Sequence, residues 1–183
     1  MNITVRGYFL FLLIGWLLLT TIGCSESSDS NPSSVSGYNY TDYYIDQFTI
    51  TSEGHELSAG GSNILPKEAG KLRSESGGSC CIGIPANWRP GMKLVIKWKV
   101  DKIQDGKTPG KWYTATTEVP PYGPRTYGFV VHFLHGDRIR VEIEDKPAMA
   151  KKPEDNDPYT VQGVLDPELN KKRGEGDERH SMA

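Results

Sequence analysis

Arg138-Ile-Arg-Val-Glu-Ile-Glu144 is the stretch that decides the fold class of this chain. Ile139, Val141 and Ile143 recur with a period of two, and Arg138, Arg140, Glu142 and Glu144 fill the positions between them. Successive side chains of a strand point to opposite faces of a pleated sheet, so this pattern reads as a strand with one dry and one wet face. Lys93-Leu-Val-Ile-Lys-Trp-Lys-Val-Asp101 repeats the pattern, with Leu94, Ile96, Trp98 and Val100 inward and Val95, Lys97, Lys99 and Asp101 outward.

Working outward, further strands fit Tyr43 to Thr51, Cys80 to Ile84, Trp112 to Val119 and Tyr127 to Leu134. Gly136 in Leu134-His-Gly-Asp-Arg138 marks a tight turn, and Pro120-Pro-Tyr-Gly-Pro-Arg125 marks a longer, stiffer connection. No segment sustains a period of 3.6, which argues against a parallel sheet with crossover helices. About seven short strands joined in a meander predict an all-β antiparallel β-sandwich, Ig-like or similar, with a partly open β-barrel as the alternative.

The N-terminus carries one basic residue, Arg6, then the apolar run Tyr8–Leu19 and Thr21-Ile-Gly-Cys24. That order is an export signal. The tetrad resembles a bacterial lipobox, in which Cys24 is acylated and becomes the first residue of the mature chain. A spanning anchor of roughly 17 to 20 apolar residues is the competing reading, but no basic cluster follows. Ser25 rather than Asp follows the cysteine, and the resemblance to Gram-negative lipoproteins then implies the outer membrane, facing the periplasm. Arg6 is the only charged side chain before Cys24, so processing shifts the formal charge from −2 to −3 and suggests no nucleic-acid partner.

The expected organisation is a signal peptide over 1–23, a lipidated flexible tether over 24–37, a single β domain over 38–166 and a disordered tail over 167–183. The tether reading rests on Ser25 to Gly37, SESSDSNPSSVSG, which offers little apolar surface to bury. One helical turn is expected at Pro167–Asn170.

Candidate chemistry is sparse. Cys80 and Cys81 are adjacent, leaving a vicinal disulfide, buried free thiols or a link between molecules as the alternatives in an oxidising compartment. His132, His135 and Asp137 suggest a metal or acid–base cluster, but a strand position and a turn position need not converge, so surface and turn histidines are expected. Glu142 and Glu144 read as solvated charges on the wet face of their strand. Gly106-Lys-Thr108 lacks the glycine a phosphate loop needs, having Asp101 there. No Gly-x-Ser-x-Gly elbow is present. The chain is expected to be a non-enzymatic protein without cofactor or metal. Aromatic residues near strand ends pack the core or form a protein-binding rim, for which Tyr122, Arg125 and Tyr127 on the Pro-stiffened connection are the candidates.

Gly37-Tyr-Asn-Tyr-Thr-Asp42, Gly60-Gly-Ser-Asn-Ile64, Gly77-Gly-Ser-Cys-Cys81, Trp88-Arg-Pro-Gly91 before Leu94-Val-Ile-Lys-Trp98, Val119-Pro-Pro-Tyr122 and Val131-His-Phe-Leu134 occur in this order. Together they resemble a family of small proteobacterial lipoproteins classed as a domain of unknown function, over Gly37 to Pro158. Members are often encoded beside type VI secretion phospholipase effectors. The resemblance implies an immunity protein that binds and inhibits such a lipase. An envelope structural or assembly lipoprotein that binds another outer-membrane component is the alternative.

Overall fold

The computed structural model describes residues 30–52, 58–146 and 151–171. Two sheets face each other and are not closed into a barrel. The strands are β1 (Ser30–Asn39), β2 (Tyr44–Ser52), β3 (Ser58–Gly61), β4 (Ser74–Glu75), β5 (Ser79–Pro85), β6 (Lys93–Asp101), β7 (Lys111–Glu118), β8 (Gly128–Leu134), β9 (Arg138–Glu144), β10 (Val161–Gln162) and β11 (Val164–Leu165). The first sheet runs β10-β9-β8-β1, and the far edge of β1 is shared by β4 and β5. The second runs β11-β7-β6-β2-β3 and is antiparallel throughout.

The alternating strands behave as their periodicity requires. Ile139, Val141 and Ile143 of β9 and Ile96 and Trp98 of β6 enter the common core, while the residues between them stay partly solvated. Trp98, Phe48 and Phe133 meet there, with the Phe48 and Phe133 rings edge-on at 5.3 Å. Each such side chain contributes about 1.5–3 kcal/mol through burial. Gly37 sits where a Cβ would collide with Ile64, so the two sheets close on bare backbone at that point.

Two expectations fail here. The tether does not extend to Gly37, because Ser30–Asn39 forms β1, and Val35 lies in the core with no exposed surface. Its polar composition is tolerated because both of its edges are paired, so its backbone groups are satisfied without many apolar side chains. The meander fails for the same reason: β1 pairs parallel with β8, Val35 opposite Phe129 and Asn39 opposite Phe133, joining the two ends of the domain without a crossover helix.

The turn at 135–137 is a three-residue hairpin with Gly136 at φ 77° and Asp137 at φ 59°. The helical turn at 167–171 is present. The Asp166 carboxylate caps it by accepting from the backbone N–H of Glu168 and of Leu169 at 3.1 and 2.9 Å. Asn170 then grips the edge of β7, accepting from Trp112 N–H at 3.0 Å and donating to its carbonyl at 2.9 Å. Residues 167–171 therefore belong to the domain and not to a tail. Residues 172–183 of the expected tail, and the expected signal peptide and Cys24, lie outside the described residues.

Candidate functional site

The connection from β7 to β8 crosses from one sheet to the other and is held at every step. Tyr122 donates its hydroxyl to the Pro85 carbonyl at 2.7 Å, and its half-buried ring packs on the core. Burial pushes the Tyr122 phenol up, against a smaller downward pull from Arg89. Gly123 N–H donates to Asp145 at 2.9 Å, Asn31 donates to the Pro124 carbonyl at 3.2 Å, Ser33 donates to Thr126 at 2.8 Å, and Tyr127 N–H donates to the Glu144 carbonyl at 2.7 Å. Arg125 is left exposed, and Tyr127 is 48% exposed. Of the three expected contact residues, Tyr122 is thus an internal anchor, while Arg125 and Tyr127 form the open surface.

A second connection, between β5 and β6, packs beside the first. Trp88 donates its indole N–H to the Val119 carbonyl at 2.9 Å, and Val119 N–H donates to Met92 at 2.9 Å. An apolar cavity of about 240 Å³ opens between the sheets here, lined by Ile82, Ile84, Met92, Leu94, Phe129 and Ile143 among others. The sequence hinted at this pole through Trp88-Arg-Pro-Gly91, but periodicity alone does not bring two loops of opposite sheets together.

Cys80 and Cys81 are bonded to each other in β5, and both residues are exposed, so the buried-thiol alternative does not hold. They occupy an irregularity in the β1–β5 ladder. Ser33 faces Ile82 and Val35 faces Ser79, so the two cysteines share the space opposite Ser34. A bulge of this kind relieves the strict alternation that would send neighbouring side chains to opposite faces.

His132 departs most from expectation. It is not a surface histidine: β8 is buried along its whole length, and the His132 side chain is 0% exposed. Its ring stacks on Tyr40 at 5.8 Å and meets the edge of Tyr38 at 5.5 Å. Nδ1 lies 3.2 Å from the Tyr40 hydroxyl and Nε2 lies 3.3 Å from Glu142, whose carboxylate also accepts from Arg140 at 2.5 Å. Glu142 is therefore bound into a network, contrary to the solvated reading.

Burial pushes the His132 imidazole below its ordinary value, with the Glu142 bond opposing. Burial alone would raise the Glu142 carboxyl, but the His132 bond and the Arg140 charge outweigh it and hold it low. A neutral ring beside an ionised carboxylate requires Nε2–H to donate to Glu142 and Nδ1 to accept from the Tyr40 hydroxyl. Both ring nitrogens are then occupied. The group clamps the outer face of the first sheet, and in this state its ring offers no free nitrogen for acid–base work.

His135 is exposed in the turn and Asp137 pairs with Lys102 at 2.8 Å, so neither joins His132. Among the described residues no group of three or more His, Cys, Asp or Glu is arranged to hold a metal. Lys107 and Thr108 turn their backbone N–H groups onto Asp105, at 2.8 and 2.7 Å, which closes that loop on itself.

A family profile described as a protein of unknown function, DUF3304, matches residues 38–141. The chain belongs to the DUF3304 family. The matched span runs from Tyr38 in β1 to Val141 in β9, and so takes in the Cys80–Cys81 pair, the Tyr122–Tyr127 connection and His132. Ser30–Gly37, Glu142 and the capped turn after Asp166 lie outside the matched residues. No curated protein and no solved structure matches the chain.

Proposed function

We propose that this DUF3304 protein is a lipid-anchored, periplasm-facing lipoprotein of the outer membrane that acts by binding. Its partner, on this reading, is a type VI secretion phospholipase effector, which it inhibits without catalysing a reaction itself. The observation that carries the binding role is the fixed connection that leaves Arg125 and Tyr127 outward. Arg and Tyr are residue types that carry interface hot spots, and a loop tied by five hydrogen bonds loses little freedom on docking. The lipobox-like Cys24 and the resemblance to lipoproteins encoded beside such effectors supply the location and the partner class.

Co-expression with a periplasm-directed lipase encoded beside the gene tests the reading. The wild-type chain should protect cells and co-purify with the lipase, and the double substitution Arg125→Ala, Tyr127→Ala should lose protection while keeping its melting temperature. Failure of the wild-type chain to bind or protect overturns the inhibitor role. Recovery of envelope proteins with no lipase would favour the assembly alternative instead.

A further inference from the structure

The start of β1 sets how the domain stands relative to its anchor. Cys24 and Ser30 are six residues apart, so whatever the chain does between them, the two Cα atoms are at most about 20–22 Å apart. Ser30 pairs with Pro85 and lines an open crevice of about 510 Å³ with Pro85, Asn87 and Arg89. Lys93 begins β6 at this same pole, because Met92 is tied to Val119 and Tyr122 to Pro85. Asp101 ends β6 at the other pole, eight residues and roughly 26 Å away. There the Lys102–Asp137 pair joins the β6–β7 loop to the β8–β9 turn. A reach of about 20 Å is shorter than the strand, so the lipid cannot lie beyond the far pole.

Resting on the lipoprotein reading above, we propose that the pole formed by Ser30, Asn87, Arg89 and Lys93 lies against the phospholipid surface that holds the acylated Cys24. The chemistry of that pole suits headgroups: Arg89 and Lys93 are exposed, Trp88 packs against the core beside them, and the exposed Glu118 opposite Lys93 leaves Arg89 as the cation without a cross-strand acid. The far pole lies well beyond a Debye length of about 8 Å, outside the field of that surface. Arg125 and Tyr127, on the neighbouring connection, then stand at the level of the bilayer, where a phospholipase must work.

The test uses the full lipoprotein, extracted and reconstituted into vesicles of phosphatidylethanolamine and phosphatidylglycerol, and modified with a water-soluble amine reagent. Lys93 should react several-fold more slowly than Lys107 in the far loop. Inserting a twenty-residue Gly-Ser spacer between Ser28 and Asp29 should bring the two rates together. Equal rates without the spacer, a slower Lys107, or a ratio unchanged by the spacer would each overturn the proposal. The mass of the N-terminal peptide separates the two readings. An unmodified Cys24 removes the anchor and this orientation with it, whereas an acylated Cys24 with equal rates removes the orientation alone.

Discussion

The two sheets of this sandwich differ in what lies on their outer faces. On the second sheet, Val95, Lys97 and Lys99 of β6 point outward and are partly solvated, with Lys97 paired to the buried Asp166 and Lys99 to Asp46. On the first sheet, the outward residues Val130, His132 and Leu134 of β8 are buried, and with Tyr38 and Tyr40 they make a second, smaller cluster. Arg73 lies 3.7 Å above the Tyr38 ring, and Arg140 reaches Asp157 at 3.5 Å. The second sheet therefore has a dry side and a wet side, and the first carries a second buried cluster over β1 and β8, its outer face at β9 staying partly solvated. A polar group under that second cluster must be internally satisfied, as His132 is, whereas a charge on the wet sheet need only reach water.

That contrast can be broken in order of effect. Phe133→Ala, which empties the shared core, should cost about 3–5 kcal/mol of unfolding free energy in urea titration. A loss below that of an outer-face substitution would mean the central layer is not the main source of stability. His132→Leu should cost less, about 1–3 kcal/mol, because it removes the His132 partner of the buried Tyr40 hydroxyl and leaves the Glu142 carboxylate with Arg140. No loss would show that the outer cluster tolerates an apolar centre.

The same pair predicts a pH dependence. His132 has a folded value below its unfolded value of about 6.5, so the unfolded chain binds more protons as pH falls below 6.5. Stability is then fully present above 6.5 and declines on acidification toward the lower folded value. Glu142, also held low, adds a further loss as pH falls below about 4.5 through its folded value. Melting temperature should drop between pH 6.5 and 5 in the wild type and be flatter in His132→Leu. Equal slopes would locate the dependence elsewhere. The smallest effect belongs to the wet sheet: Asp46→Asn, which breaks the pair with Lys99, should change stability by no more than about 1 kcal/mol.

Much of the fold was legible because several strands carry their burial in their spacing. β6 and β9 were readable end to end, since every second residue is apolar and the sheet supplies one buried face to each. β1 was not, because it is held by ladders to β8, β5 and β4 with only Val35 and Tyr38 as buried apolar side chains, and a ladder leaves no trace in composition. His132 held a signal that went unused. In Gly128-Phe-Val-Val-His-Phe-Leu134 both sets of alternate positions are apolar, which says that both faces are covered and that the histidine between Val130 and Leu134 is buried with them. Arg125 and Tyr127 were legible as a stiff loop, but Tyr122 was misassigned because the Pro85 carbonyl that captures it lies 37 residues away.

The sequence by itself determined an all-β chain, the alternating strands and the helical turn at Pro167–Asn170, because each depends on residues close in sequence. Only the tertiary structure decided the parallel seam of β1 and β8, the buried Tyr40–His132–Glu142 network and the pole that gathers Ser30 with Arg89. Those depend on contacts across tens of residues. Their energies come from backbone pairing and desolvation at places that no local pattern specifies.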